Sequence, residues 1–199
     1  MSRWRSRMRA AHSPGEHAVN GFARTLEVGK LTPEQFVQVL ETLHMLGTAG
    51  AGIDIGSLTT QSLVDVVAAA SREQLKGIAD HDELRAVFLD EIFRRMSEHF
   101  RPDRARHVDV VVSWRFPAGD DFDRYQTVIE DGLCVSSTDL TRTPDTTITV
   151  AVEDFIRMAT GNAAVAAMFV TGKVKVKGEY APAVRLSGYF DIPKPTGAD

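Results

Sequence analysis

The stretch from residue 144 to residue 192 constrains the fold more than any other part of this chain. Residues 146–150 alternate polar and apolar side chains, which predicts a half-buried β-strand because successive strand residues face opposite sides of a sheet. Residues 155–159 carry apolar side chains at helical spacing. Residues 163–169 are apolar on almost every side, which predicts a second short helix, buried on more than one face and capped by Asn162.

A lysine and valine alternation follows these two helices. Residues 173–177 read Lys-Val-Lys-Val-Lys, which predicts a strand with Val174 and Val176 facing inward and the lysines in water. An apolar helix then runs towards Phe190, interrupted by Pro182. The whole stretch is therefore predicted as strand, two short helices, strand and last helix.

In these residues the chain resembles the sterol carrier protein type 2 domain family. The likeness rests on Pro-Asp-Thr-Thr-Ile-Thr at 144–149, on the pair Asp154-Phe155, on Gly-Lys-Val-Lys-Val-Lys-Gly at 172–178, and on an acidic residue before a helix ending at Phe190. The resemblance implies an α+β fold in which a five-stranded, mostly antiparallel sheet is covered by helices on one face. It also implies an apolar tunnel that accepts a fatty acid, acyl-CoA or sterol-like lipid.

We expect the ligand to contact apolar residues on both short helices, the second strand and the last helix. These candidate binding residues are Phe155, Met158, Met168, Phe169, Val174, Val176, Val184 and Phe190. The two methionines favour an adaptable pocket, since their side chains are flexible and polarizable. The residues alone leave a second interpretation open, because each of these side chains also fits an ordinary hydrophobic core.

The remaining sequence completes the predicted sheet and adds helices before it. Residues 108–116, 125–130 and 133–137 have strand character, with Asp131-Gly132 as a hairpin turn between the last two. A helix with a broad apolar face precedes them. We therefore predict a lipid-binding domain at 80–193.

Short helices fill the region before residue 80. Thr32 begins one of them, with Pro33 at its first position and Gln35 completing a capping box. We predict an all-helical segment at 16–79, a disordered basic tail at 1–15 and a short tail at 194–199.

Composition narrows the class of protein. The chain has 199 residues, 43% of them hydrophobic, which is enough for one substantial core or for a domain with a smaller helical unit. Its net charge of −4 implies no basic face, so we expect no nucleic-acid partner. The single cysteine, Cys134, excludes an internal disulfide and fits a reducing compartment, so we expect a cytoplasmic protein. Arg94, Arg95 and the arginines within 101–106 form a basic strip, interpreted as a solvated face or as a transient contact with a membrane surface.

The sequence contains none of the metal-binding or catalytic motifs considered below. The six histidines form no pair with metal-ligand spacing, so we expect no metal and no other cofactor. Cys134 has no evident base beside it, and no Gly-x-Ser-x-Gly motif occurs, so we expect no catalytic residue.

Three functions remain open at this point. The leading hypothesis is non-catalytic binding or transfer of an apolar ligand. The first alternative is an isomerase or cyclase acting on an apolar molecule in the same pocket, with Tyr125, Asp109 or His107 as a buried titrating group. The second is an interaction module whose pocket is filled and whose N-terminal helices bind an unidentified protein partner. A polar pair facing the pocket favours the enzyme, and an unbroken apolar lining favours the carrier.

Overall fold

The computed structural model describes residues 14–197, in which helices pack on one five-stranded sheet. The strands are β1 (Val110–Ala118), β2 (Asp121–Glu130), β3 (Leu133–Ser137), β4 (Thr146–Val150) and β5 (Val174–Gly178). Their order across the sheet is β3-β2-β1-β4-β5. The hairpin predicted at Asp131-Gly132 is confirmed, since both residues adopt positive φ between β2 and β3.

The prediction of a mostly antiparallel sheet needs correction, because the sheet is mixed. The pairs β1–β2, β2–β3 and β4–β5 are antiparallel, whereas β1 and β4 are parallel. The parallel pair arises because the chain leaves the β1–β3 meander at Ser137 and returns on the far side of β1. The broader expectation of an α+β protein with five strands is confirmed.

Eight α-helices are present in residues 14–197. They are α1 (Pro14–Thr25), α2 (Pro33–Thr48), α3 (Thr60–Ala69), α4 (Arg72–Asp80), α5 (Asp82–Glu98), α6 (Val152–Ala159), α7 (Val165–Val170) and α8 (Tyr180–Arg185). The capping box predicted at Thr32 is confirmed, since its hydroxyl accepts from Gln35 N–H and the Gln35 side chain accepts from Thr32 N–H.

Asn162 does not cap a helix as predicted. Its backbone N–H donates to the carbonyl of Arg157 at 2.8 Å, and Gly161 beside it has φ +70°, so the two residues close α6. The next helix begins only at Val165, after an N-cap residue, Ala164, that makes no side-chain hydrogen bond. The side chain of Asn162 instead donates to the carbonyl of Val64 on α3 at 3.1 Å.

One face of the sheet carries the core. Trp114, Phe116 and Ile148 are fully or almost fully buried on that face, where α5, α6 and α8 pack. Arg115 and Lys175 point the other way and are exposed. Period-2 alternation therefore separates the apolar and basic side chains of the same strands.

Gly178 is required where β5 ends. Its φ is +95°, and an added Cβ would lie 2.5 Å from the carbonyl oxygen of Asp145. That carbonyl accepts a hydrogen bond from Glu179 N–H at 2.9 Å. A side chain at residue 178 would therefore separate the strand ends that close this edge of the sheet.

The helices before residue 80 share their core with the rest of the chain. Phe36, Leu75 and Ile78 belong to the same buried cluster as Leu84 and Phe88 of α5. The predicted boundary at residue 80 falls on the last residue of α4, and independent folding of 80–193 stays a prediction. The predicted tail at 1–15 lies outside the described residues except for the first two residues of α1.

Candidate ligand-binding cavity

A cavity of about 320 Å³ lies between the covered face of the sheet and helices α5 to α8. Its walls come from three strands, four helices and the chain after α8. The lining residues are Met96, Trp114, Ile148, Phe155, Met158, Ala159, Gly161, Ala163, Val165, Phe169, Val174, Ala183, Leu186, Ser187, Phe190, Ile192 and Lys194. All but Ser187 and Lys194 are apolar or glycine, so the cavity suits a hydrocarbon group.

The floor of the cavity is aromatic and rigid. Phe155 of α6 is fully buried, and its ring centre lies 5.1 Å from that of Trp114 on β1. The indole N–H of Trp114 donates to the hydroxyl of Thr127 at 2.9 Å, so its one polar atom is satisfied within the sheet. Ile148 pairs with Trp114 across the parallel strands β1 and β4. These contacts leave the floor no free hydrogen-bonding group to offer a ligand.

The helix α7 forms a thin wall between the cavity and solvent. Phe169 lines the cavity and packs edge-on against Tyr180 of α8, with ring centres 5.5 Å apart. Val170, the next residue, is 88% exposed. Met168 is buried in the core and does not line the cavity. Neighbouring side chains of this six-residue helix therefore have three different surroundings.

An ion pair joins α6 to the residue before β5, next in the chain to the cavity-lining Phe155 and Val174. The carboxylate of Asp154 is only 5% exposed and accepts a hydrogen bond from Lys173 Nζ at 2.9 Å. Arg72 of α4 lies 3.7 Å from the second oxygen of Asp154. Asp154 and Lys173 belong to two of the motifs on which the family resemblance rests, and the structure gives both a structural role.

The chain after α8 forms the mouth of the cavity. Gly161, Ser187 and Lys194 are the exposed lining residues in the described part of the chain. Phe190 and Phe100 join this segment to the end of α5 through a short β-bridge. Within the predicted tail at 194–199, Lys194 and Thr196 form hydrogen bonds with α3.

Hydrogen bonds from α3 set the position of that last segment. Gln61 donates to the carbonyl of Lys194 at 2.9 Å. Asp65 accepts from the backbone N–H of Thr196 at 2.7 Å and from its hydroxyl at 2.8 Å. Burial raises the pKa of Asp65, but these bonds from Thr196 and one from Gln61 outweigh it, so the pKa lies below its ordinary value.

The residues proposed for an enzyme do not meet in this cavity. Tyr125 is buried, and its hydroxyl donates to Asp90 of α5 at 2.7 Å. Burial and the neighbouring Asp90 carboxylate raise the pKa of Tyr125, which keeps the phenol neutral. His107 and Asp109 are exposed in the loop before β1. None of the three lines the cavity.

The thiol of Cys134 and two buried polar atoms without a hydrogen-bond partner also lie outside the cavity. Burial raises the pKa of the Cys134 thiol to about 11, which suppresses the nucleophilic thiolate at neutral pH. In residues 14–197, the buried side-chain polar atoms without a hydrogen-bond partner are Arg95 Nε and Thr146 Oγ1, and neither residue lines the cavity. The same residues contain no cluster of three or more metal-ligating side chains.

The described helices are also too short or too polar to cross a membrane.

Five of the eight residues predicted to bind the ligand line the cavity: Phe155, Met158, Phe169, Val174 and Phe190. Met168, Val176 and Val184 do not, and Val184 is 45% exposed on α8. Sequence reasoning missed Met96 and Trp114, which precede the stretch 144–192, Ile148 and Ile192 within it, and Lys194 after it. In the strand predicted at 108–116, Trp114 shares a face with the apolar Val110 and Val112, and this alternation could have identified it.

Comparison with known families identifies a family that covers the cavity-forming part of the chain. The family described as alkyl sulfatase C-terminal matches residues 77–196, more than half of the chain. No significant relative was found among curated proteins.

Solved structures of two kinds are similar to this chain. A palmitated sterol carrier protein 2-like 2 from Aedes aegypti is 19% identical, with a TM-score of 0.42 over 49% of this chain and 88% of its own. Sterol carrier protein 2 from Yarrowia lipolytica is 15% identical, with a TM-score of 0.40 over 50% of this chain and 86% of its own. Sterol carrier proteins, which the sequence resembles, are thus among the solved structures to which this chain is similar.

A stereoselective inverting sec-alkylsulfatase from Pseudomonas sp. is 14% identical, with a TM-score of 0.49. The match covers 94% of this chain but 34% of the sulfatase, so this chain spans about a third of that enzyme's length.

Proposed function

Because this chain belongs to the alkyl sulfatase C-terminal family, we propose that its cavity binds the hydrocarbon chain of an amphiphilic lipid or alkyl ester without catalysing a reaction. The observation that carries this proposal is the lining of the cavity. Apolar side chains from β1, β4, β5 and α5 to α8 surround it, and the one polar atom of its aromatic floor is bonded inside the sheet. Such a surface binds by excluding water from an apolar ligand.

The size of the cavity fits this class of ligand. Its volume of about 320 Å³ lies at the lower end of the range for small-molecule sites, roughly 300–1,000 Å³. An apolar cavity of this size suits a single alkyl chain. Each methylene transferred from water into it contributes about 0.8 kcal/mol, so affinity should rise with chain length until the cavity is full.

The arrangement of polar groups supports binding over catalysis. General acid or base catalysis requires a titratable side chain within hydrogen-bond reach of the reacting atom. Tyr125, His107 and Asp109 lie outside the cavity, and Lys194 at the mouth is its one charged lining residue. The sulfatase activity named for the similar enzyme belongs to that much longer protein.

Two measurements test the proposal. Native mass spectrometry of the purified protein, before and after lipid extraction, should detect a co-purified amphiphile that extraction removes. Titration with saturated fatty acids of increasing length should then give dissociation constants that fall with each added methylene and reach a plateau.

A pair of neighbouring substitutions makes this titration specific. Phe169→Asp places a carboxylate in the cavity, where an unsatisfied polar group costs roughly 2–7 kcal/mol, and should abolish the dependence on chain length. Val170→Asp places the same group on the exposed side of the same helix and should bind like the wild type. Equal behaviour of the two folded variants, checked by thermal melting, would contradict the proposed cavity.

A further inference from the structure

The mouth of the cavity carries one cationic side chain that the proposed binding of a hydrocarbon leaves unused. Lys194 lines the cavity together with fifteen apolar or glycine residues and Ser187. In the part of the chain that the structure describes, Lys194 forms no ion pair. The nearby carboxylates are already used, since Asp191 pairs with Arg101 at 3.0 Å and Asp65 accepts from Thr196.

The position of Lys194 is set by its backbone. Gln61 binds the Lys194 carbonyl, and Asp65 binds both the N–H and the hydroxyl of Thr196 two residues later. On the other side, Asp191 N–H donates to the carbonyl of His99 at 2.9 Å. The segment is therefore held at both ends, and Lys194 is kept beside the cavity instead of moving freely at the end of a tail.

We infer that Lys194 is the headgroup anchor of this site and that the ligand is a single-chain amphiphile with an anionic head, such as a sulfate ester or a carboxylate. The inference rests on the proposed binding of the hydrocarbon chain in the cavity. A chain that fills the apolar space ends at the mouth, where the ammonium of Lys194 can donate hydrogen bonds to the head's oxygens. Ser187, the other polar lining residue, can donate a hydrogen bond to the same group.

The positive charge of Lys194 should make the site prefer a ligand with an anionic head. Charge-assisted hydrogen bonds contribute more than neutral ones, because the ammonium attracts the anion as well as donating to it. A cationic head on the same alkyl chain is repelled by Lys194, and the head of a neutral alcohol is neither attracted nor repelled by its charge. The preference for an anion should therefore depend on Lys194, whereas the binding of the chain should not. Asp65 affects this preference indirectly, as a positioning residue, because its hydrogen bonds to Thr196 hold the segment that carries Lys194.

The experiment compares four ten-carbon probes: decyl sulfate, decanoate and decyltrimethylammonium below their micelle-forming concentrations, and decanol below its solubility limit. Calorimetric titration of the full chain should give the tightest binding for the two anions. Lys194→Met should weaken binding of both anions by roughly tenfold and leave decanol within about twofold of the wild type. Lys194→Arg should restore the preference for anions.

Two further variants test whether Lys194 acts on the headgroup specifically or only through the protein's overall charge or stability. Lys177→Met removes an exposed lysine of β5 that does not line the cavity, and it should change none of the four affinities. Asp65→Ala should lower the ratio of decyl sulfate to decanol affinity without weakening decanol, a change that general loosening of the fold would not produce.

The outcomes distinguish this inference from the proposed function. Equal effects of Lys194→Met on decyl sulfate and decanol, or equal effects of Lys177→Met and Lys194→Met, would overturn the role of Lys194 while leaving the cavity intact. A wild-type protein that fails to bind decanol would overturn the proposed hydrocarbon site itself. If decanoate binds tightly and decyl sulfate does not, the ligand is a carboxylate, and the reverse result identifies a sulfate ester.

Discussion

Lys173 Nζ lies 2.9 Å from Asp154 Oδ1, so the first residue before β5 is paired with a buried carboxylate of α6. The two residues are 19 positions apart in the chain, and α7 lies between them. Their ion pair therefore closes a loop around one wall of the cavity. The alternation predicts that Lys173 points into water like Lys175 and Lys177, but only 30% of its side chain is exposed.

We predict that Lys173→Met destabilises the protein by about 1–3 kcal/mol, because it leaves the buried Asp154 without its nearest cation. Lys177→Met is the matched control and should change the free energy of unfolding by less than about 0.5 kcal/mol, since Lys177 is exposed. Urea unfolding followed by circular dichroism measures both changes. Similar values for the two variants would show that the Asp154 pair adds little to stability.

A second prediction concerns Arg95, which joins α5 to the helices before residue 80. The side chain of Arg95 is 4% exposed, donates to the carbonyl of Leu58 at 2.6 Å and pairs with Glu91. In the full chain, Arg95→Met should cost about 1–3 kcal/mol, because it leaves these acceptors without a donor. In a fragment of residues 77–197, the Leu58 carbonyl is missing and Arg95 becomes solvated, so the same substitution should be nearly neutral.

Denaturant titrations of the four proteins measure this difference. An equal loss of stability in the full chain and in the fragment would show that the hydrogen bond from Arg95 to Leu58 does not contribute to stability. A fragment that is unfolded without any substitution would instead show that the predicted unit at 80–193 cannot fold without α1 to α4.

A third prediction follows from the burial of Cys134. Because burial raises its thiol pKa to about 11, the native protein should react with iodoacetamide at pH 8 at least about a hundredfold more slowly than the unfolded chain, whose thiol pKa is about 8.5. The native rate should increase about tenfold per pH unit between pH 8 and 10, because the thiolate fraction increases in that proportion. Mass spectrometry of quenched samples gives both rates. A native rate equal to that of the chain in guanidinium would contradict the buried environment.

A fourth prediction concerns acid and the segment that contains Lys194. The pKa of Asp65 is lower in the folded protein than in the unfolded chain, so its contribution to stability is fully present above the ordinary value of about 3.9. That contribution is lost as the pH falls through the lower native pKa. Protection of the Thr196 amide, which donates to Asp65, should therefore decrease in this acid range.

Hydrogen exchange, corrected for the intrinsic effect of pH, measures this protection. Asp65→Asn should exchange faster at neutral pH and show no further acid-dependent loss, because its amide does not titrate there. An acid-dependent loss of equal size in that variant would assign the effect to another group.

The sequence was sufficient for features that depend on residues close together in the chain. Alternation along β4 and β5 predicted their inward side chains, and the pattern Thr32-Pro33-x-Gln35 predicted the start of α2. The motifs from residue 144 onward identified the α+β class and the region of the cavity. These predictions hold because period-2 alternation and capping bonds involve residues only a few positions apart.

The tertiary structure alone determined the features that depend on residues far apart in the chain. It also determined which side of a helix faces the cavity. The parallel pairing of β1 with β4 follows from the path of the chain between them, which has no local periodicity. Adjacent residues of a helix differ by about 100° in direction, so packing alone determined that Phe169 rather than Met168 lines the cavity. Lys194 reaches the mouth because Gln61, 133 residues away, binds its carbonyl, and no pattern near Lys194 encodes that contact.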